Sequence, residues 1–564
     1  MKKINLFADM KEANFSKKTL FFLFVLIIFS ALIYSRSLHA DFLNYDDTDN
    51  VVNNVSIHNL SVKNITGYFS TVNLYMYTPI TDISYAIDYK LHGLDPFYFK
   101  LTNLLIHLLN IVLIYILSFQ LFKKNYLSFF LALLFALHPA NTDTVSWISA
   151  RSNLLATMFF ILSAIFYNIY LKQNKYLLLT LSFISFVFSL LSKSSGIMLP
   201  LTLLLFDYYY QRKFSIKLLT EKIPFLLASC AIGILTVYFR TDSGNTQLPV
   251  DYLFFDRIFL TCYSLVSFSI KSVIPFHLSE VYAYPVKLHW FLPICYYLSP
   301  ILILGYIYLI KKMKVLKREI IFGSLFFLIN IIITQFALLE DGFLANRYTY
   351  LPYFGLFFVV AKCFDFYSTK FPSYKIYLFS IITIGLILFS AFTYYRSLHW
   401  KNTLILFNRV IQTEPKAAFA YNSRGIARYM NSNLDGALTD YNYAIGLNPK
   451  YSGAFYNRGL VYNSMQKFES SASDYTKAIE LNPNYASAYL ARGILEMDVL
   501  KNDSLALLDY NNAIKINPSF AQAYYNRGIL FMRMNNVSEA CTDFHEVQNL
   551  GYPNADKLIE HYCN

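Results

Sequence analysis

Twelve apolar runs fill most of the first 400 residues of this 564-residue chain, and only lipid satisfies so many at once. They lie near residues 19–36, 101–122, 125–145, 152–171, 176–192, 195–210, 223–239, 257–275, 289–310, 319–339, 343–361 and 374–395. Each is of the order needed to carry a helix across a hydrocarbon core of about 30 Å. A chain that is 56% hydrophobic and 15% charged is also too apolar for an ordinary soluble globule. The first run follows a basic segment but is trailed only by a poor small-residue site, Ser35 and Ser37, so it reads as an uncleaved anchor.

The formal charge of +13 belongs entirely to this apolar part, because residues 401–564 carry 15 Lys+Arg and 15 Asp+Glu. Its Lys and Arg sit in short clusters between runs, which marks cytoplasmic loops and argues against nucleic-acid binding. Residues 1–18, Lys123 and Lys124, Lys172 and Lys175, Arg212 to Lys222 and Lys311 to Arg318 are thereby placed inside. Counting inward from both directions leaves 240–256 and 276–288 outside. The run between them, 257–275, is interrupted by Lys271 and followed by Pro275, so it is expected to pack within the protein without spanning. About eleven crossings result, and the C-terminal part lies on the outer side.

Residues 417–551 repeat at a period of 34, with one unit of 35. Arg424-Gly425, Arg458-Gly459, Arg492-Gly493 and Arg527-Gly528 align, as do Asp440, Asp474, Asp509 and Asp543. Asn448-Pro449, Asn482-Pro483 and Asn517-Pro518 close units, Pro stopping the second helix of each. The pattern is similar to the tetratricopeptide repeat, a helix-turn-helix unit that buries its apolar seam only by stacking on neighbours. The expected chain is therefore all-α: a polytopic membrane bundle over 1–400, then about four repeats and a capping helix over 401–564. Recurrent Tyr, Asn and Arg on the first helices (Tyr421, Asn422, Arg424; Tyr456, Asn457, Arg458; Tyr525, Asn526, Arg527) fit either peptide binding or interhelix packing. Cys230, Cys262, Cys295 and Cys363 read as apolar filler, with no zinc spacing, whereas Cys541 and Cys563 flank the end of the last repeat and can pair in an oxidising compartment.

The outer segment 37–100 holds seven acids against three Lys. Its Asp46-Asp47 pair is a candidate general base, since crowding raises one carboxylate pKa toward neutrality and the base can then take a hydroxyl proton. A metal site or a solvated acidic loop are the rival readings of the same residues.

Several runs then carry a resemblance: Phe42-Leu-Asn-Tyr-Asp-Asp, Tyr77-Thr-Pro-Ile-Thr, Leu101-Thr-Asn-Leu-Leu-Ile-His107, Ala136-Leu-His138-Pro-Ala-Asn-Thr-Asp143-Thr-Val-Ser-Trp-Ile-Ser-Ala-Arg151, Ser192-Lys193 and Asn346-Arg347-Tyr348-Thr-Tyr-Leu-Pro352. Together with the appended repeats they resemble the transmembrane and tetratricopeptide repeat-containing O-mannosyltransferases, a family of type C glycosyltransferases. The resemblance implies transfer of a sugar, mannose by preference, from a polyprenyl- or dolichyl-phosphate carrier to Ser or Thr of a protein acceptor on the outer membrane face. It implies Asp46 as the base with Asp47 beside it, and His107, His138 and Asp143 as substrate-contacting positions. The leaving phosphate needs cations, and Arg151, Lys193 and Arg347 stand at outer ends of the expected spans. No metal is obligatory in such a displacement. Ser194 and Thr78 stand where the family has an acidic residue and an Arg, and Asp143 where Glu is commoner, so the sugar stays open.

The alternative is a non-enzymatic, membrane-anchored scaffold whose repeats assemble periplasmic or envelope proteins. A tether needs one span, and a transporter needs ionisable residues at span midpoints rather than outer ends. The expected location is a bacterial inner membrane with repeats in the periplasm, or equivalently the endoplasmic reticulum.

Overall fold

The protein is described by a computed structural model covering residues 17–70, 76–242, 252–287, 289, 291–336, 343–552 and 555–563. The basic segment 1–16 and the outer stretch 243–251 lie outside the described residues. The chain divides into two compact units, Met1–Glu414 and Pro415–Asn564.

In the first unit every apolar run carries a helix. In chain order, with the connecting helix α2 among them, these are α1 (Lys17–Tyr34), α2 (Pro79–His92), α3 (Pro96–Phe122), α4 (Asn125–Leu137), α5 (Arg151–Gln173) and α6 (Tyr176–Ser192). There follow α7 (Leu199–Tyr209), α8 (Ile223–Asp242), α9 (Phe254–Lys271), α10 (Ile294–Lys312), α11 (Lys317–Phe336), α12 (Tyr353–Lys370), α13 (Lys375–Ser397) and α14 (Thr403–Thr413). Among the described residues seven stretches are long and apolar enough to cross a membrane: Lys17–His39, Pro96–Phe122, Ile148–Gln173, Ile216–Phe239, Ile294–Lys312, Lys317–Gln335 and Pro372–Lys401. α4 and α6 are apolar but shorter, and α9, the run expected not to span, is outside that set together with α7 and α12.

Three runs break earlier or start later than their hydropathy suggests, and each break has a proline. α4 stops at Leu137, because His138 precedes Pro139 and is held at φ −71°, ψ 126°. α7 begins at Leu199, with Pro200 in its first turn. α12 begins at Tyr353, so that 343–352, expected within a span, forms a connection with one short turn ending before Pro352. These breaks leave three connections built of short helical turns, 138–150, 193–198 and 343–352. Beneath them Leu26, Ile111, Phe135, Phe206, Phe322 and Phe358 are completely buried in one apolar core. Gly323 and Gly355 let α11 and α12 touch backbone to backbone; a Cβ on either would collide with the other's carbonyl oxygen.

Residues 401–414, grouped by sequence with the repeats, pack instead on the first unit: the Asn44 N–H donates to Thr403 Oγ1 at 2.8 Å, and Tyr45 meets Phe407 edge-on at 6.0 Å.

The second unit is a solenoid of paired helices from Ala418–Met430 to Val537–Asn549, closed by the short helix Ala555–Tyr562. Its period has a physical origin. In each unit the Arg of the first helix grips the Asp of the second through both carboxylate oxygens, as Arg458 does with Asp474 at 2.8 Å and 2.8 Å. The following glycine receives the aromatic ring that follows the Asp: a Cβ on Gly425 would lie 2.6 Å from Tyr441, and one on Gly528 2.7 Å from Phe544. The remaining guanidinium nitrogen reaches the preceding unit, Arg458 to Asn442 at 2.8 Å, Arg492 to Thr476 at 2.9 Å and Arg527 to Asn511 at 2.6 Å. These arginines thus couple repeats to one another, as does Asn457, whose amide donates to Asn422 of the preceding unit at 3.0 Å. Cys541 and Cys563 form a disulfide that ties the closing helix to the last repeat; a loop of 22 residues is closed, a constraint of about 3 kcal/mol on the unfolded chain.

Candidate functional site

The turn at 41–52 is anchored by one of its two adjacent carboxylates. Asp47 is completely buried, and its Oδ1 accepts from the Ser149 N–H at 2.9 Å and the Ser149 hydroxyl at 2.5 Å, while Oδ2 accepts from the Leu43 N–H at 3.0 Å. Burial pushes its carboxyl above the usual range, opposed by the charge of Lys100 and by these hydrogen bonds. Lys100 is itself buried and donates to the Ser146 carbonyl at 2.9 Å. Asp47 therefore fastens the turn to the 138–150 connection and presents no open oxygen to a substrate.

Its neighbour Asp46 is half-buried, and its charge acts on both Lys193 and Arg347. The two sides of this arrangement meet on Trp147. Tyr45 stacks on that indole with centroids 5.0 Å apart, the Arg347 guanidinium lies 5.1 Å from its centre, and Trp400 stacks behind it at 5.7 Å.

Lys193 and Arg347 line one cleft, with Ser195 and Gly196 beside the first, Tyr350 beside the second, and Asn153, Thr157, Asn330 and Thr334 from α5 and α11. Neither cation donates a hydrogen bond to another described side chain or carbonyl. Lys193 ends α6 outside its apolar run, where burial and the positive charge of Arg347 push its ammonium down to about 7. Two cations sharing a half-buried cleft repel each other, and an anion between them relieves that repulsion.

The other expected site residues have different employment. Arg151 is completely buried: it pairs with Asp88 at 2.7 Å and donates to Asn103 at 2.7 Å, the Ser84 carbonyl at 3.2 Å and the Phe99 carbonyl at 2.8 Å. Its fork, expected on the donor phosphate, instead joins α2 to α3. His138 donates through Nε2 to the Lys271 carbonyl at 3.2 Å and receives the Ala140 N–H at 3.2 Å, so it caps the turn after α4 and holds α9. His107 is buried behind the cleft, its Nδ1 2.6 Å from the Tyr350 hydroxyl. Asp143 is also buried, between Arg396 at 2.9 Å and Asn346 at 2.9 Å. Of the expected residues, the geometry thus brings Asp46, Lys193 and Arg347 together. It removes Asp47, Arg151, His138 and Asp143 from direct contact and leaves His107 one residue away.

Lys100, Asn346, Glu280 and Arg396 escaped notice as participants. Asn330 and Thr334, polar residues inside the apolar stretch of α11, were the one local signal for a cleft there. Among the described residues, no group of three or more His, Cys, Asp or Glu is arranged to hold a metal ion.

Tetratricopeptide-repeat family profiles match residues 453–485, 502–535 and 522–555. Human Protein O-mannosyl-transferase TMTC1 is 33% identical over 155 residues, 26% of this chain and 18% of its own length. Protein O-mannosyl-transferase F38B6.6 of Caenorhabditis elegans is 27% identical over 425 residues, 71% of this chain and 59% of its own length. The chain is a relative of the protein O-mannosyl-transferases. It spans less than two thirds of the length of these relatives. Among solved structures, the crystal structure of MamA aligns with TM-score 0.25 and 20% identity, covering 27% of this chain and 89% of that one.

In this relative of the O-mannosyl-transferases, Arg151 is a structural cation. Arg151→Ala leaves the buried Asp88 carboxylate unpaired, a loss of about 3–5 kcal/mol. The expected outcome in detergent is a large fall in thermal unfolding temperature, with Arg151→Lys intermediate. Unchanged stability combined with weaker binding of polyprenyl phosphate would instead make Arg151 a ligand to the donor.

Proposed function

We propose that this chain transfers a sugar, mannose by preference, from a polyprenyl-phosphate carrier to Ser or Thr hydroxyls of protein acceptors on the outer face of the membrane. The observation that carries the reading is the pair of cations, Lys193 and Arg347, facing one cleft without hydrogen-bonded partners among the described residues, with the carboxylate of Asp46 acting on both. A phosphate is the anion such a pair fits, the guanidinium through its fork and the ammonium as a point charge.

A lipid carrier is supported by the surroundings. Leu201, Leu204, Leu205 and Tyr208 of α7 and Ile321, Leu325 and Ile329 of α11 line an apolar groove. Its upper end adjoins the cleft, since Ile329 lines the groove and Asn330 the cleft, with the Asn330 amide donating to Thr202 at 3.2 Å between them. In this reading the isoprenoid chain of a phosphate held at Lys193 and Arg347 lies along that groove.

In the reaction, the acceptor hydroxyl oxygen attacks the anomeric carbon while its proton passes to Asp46. The bond from that carbon to the phosphate oxygen breaks, the electron pair leaves with the polyprenyl phosphate, and the configuration inverts. Lys193 and Arg347 stabilise the charge that grows on the leaving oxygen, an electrostatic contribution made where charge develops. The repeats hold acceptor polypeptide and raise its effective concentration. The Cys541–Cys563 disulfide supports an oxidising compartment for them, the bacterial periplasm or the lumen of the endoplasmic reticulum.

The test is reconstitution of the full chain with radiolabelled polyprenyl-phosphate mannose and a Ser/Thr-rich acceptor. Asp46→Asn is expected to lose about 10²–10⁴-fold in rate with normal folding, the range of a general base, whereas Asp47→Asn is expected to lower stability first. If the wild type transfers neither mannose nor another hexose while the repeats still retain a partner protein, the scaffold reading replaces the enzyme.

Lys193 gives the pH dependence its sign. Its ammonium is pushed down to about 7 in the empty cleft, and a bound phosphate favours the protonated form. Donor affinity is therefore greatest below about pH 7 and falls as pH rises through that value, by up to tenfold per unit, until the higher pKa of the bound state is reached. KM for the lipid donor measured from pH 6 to 9 is expected to rise accordingly, and Lys193→Arg to flatten the profile.

A further inference from the structure

Among the described residues the Arg347 guanidinium donates no hydrogen bond, yet the residue before it is fixed on every side. The Asn346 amide nitrogen donates to Asp143 Oδ2 at 2.9 Å and to the Ser279 carbonyl at 2.6 Å, and its oxygen accepts from the Tyr282 hydroxyl at 3.0 Å. Asp143 is held in turn through its other oxygen, Oδ1, by the Arg396 guanidinium at 2.9 Å. Arg396, at the end of α13, is 1% exposed; it also pairs with Glu280 at 3.1 Å and donates to the Leu278 carbonyl and to Thr142 at 3.3 Å. Glu280 is completed by His399 at 3.2 Å. One guanidinium thus bridges two buried carboxylates and joins the connections 138–150 and 276–287 to α13, while Asn346 ties 343–352 into the same set.

None of Asp143, Glu280, Arg396 or Asn346 lines the cleft. Burying two carboxylates and a guanidinium is costly unless the geometry is good, and apolar residues of similar volume often serve stability as well or better. Charge is retained here beside one of the two connections that carry a cleft cation. We propose that Asp143 and Arg396, acting through Asn346, are positioning residues that fix Arg347 toward the donor phosphate and so set affinity for the lipid donor. The inference rests on the phosphate reading of the cleft. It also assigns a purpose to Arg396, which belongs to none of the motifs shared with the transferase family.

The Asn346 side chain gives the cleanest test, because Asn346→Ser removes the strut while Asp143 keeps Arg396 as its partner and no buried charge is stranded. Binding of sugar-free polyprenyl phosphate to the full-length protein in detergent is measured for the wild type, Asn346→Ser, Arg347→Ala and the double variant, with unfolding temperatures alongside. Asn346→Ser is expected to weaken binding about tenfold or more in the wild-type background and to change nothing further once Arg347 is Ala, the non-additivity of residues acting through one another. In turnover the loss should fall on KM with kcat within a few-fold. Asp143→Glu, which keeps the charge, is expected to retain most of the affinity that Asp143→Ala loses. Equal, additive losses with and without Arg347, or wild-type affinity in a folded Asn346→Ser protein, overturn the positioning role while leaving the phosphate cleft intact. Failure of the wild type itself to bind polyprenyl phosphate overturns both.

Discussion

Backbone that leaves a helix at the end of a membrane bundle must find its hydrogen-bond partners in protein, and one end of this bundle is organised around that constraint. Three connections built of short helical turns, 138–150, 193–198 and 343–352, lie there. The first is fastened by buried charged side chains rather than by apolar packing alone. Asp47 accepts from the backbone and hydroxyl of Ser149, and Lys100 takes the carbonyl of Ser146. Arg151 takes the carbonyls of Ser84 and Phe99, and Arg396 that of Leu278. With so much of the charge there committed to protein partners, Lys193 and Arg347 stand out as cleft-lining cations that donate no hydrogen bond among the described residues.

This division of labour explains which parts of the site were legible in the sequence. The apolar runs mapped onto helices one for one, since hydropathy over twenty residues is a local property. The repeats were equally plain, because the Arg–Asp grip and the aromatic ring over glycine must recur in every unit and so leave a period in the chain. Residue roles at the site depend instead on partners far away in sequence. Arg151 and Arg347 are the same residue type, each near the end of an apolar run, and what separates them is Asp88, 63 positions before the first and aligned with it only by the folding of α2 against α5. Asp46 and Asp47 differ in nothing but which one points at Ser149. Arg396 carries no local signature at all, and its importance appears only when Asp143, 253 positions away, is brought to it.

Proline explains the one systematic error in reading the spans. Pro139, Pro200 and Pro352 each fall inside an apolar run, and hydropathy passes over them. The backbone does not: each forces a break or a late start, and the connections thereby released carry Asp143, Lys193 and Arg347. The chemistry of the cleft is in this sense a consequence of where helices are interrupted.

The central claim is that Lys193 and Arg347 together hold the phosphate of a lipid-linked donor. Its most direct test is an electron cryomicroscopy structure of the full chain with polyprenyl phosphate bound. Phosphate density between the Lys193 ammonium and the Arg347 guanidinium, with the isoprenoid chain running down the α7–α11 groove, is the expected result. Density for the phosphate elsewhere, or a cleft left without ligand while lipid occupies another seam of the bundle, would contradict it.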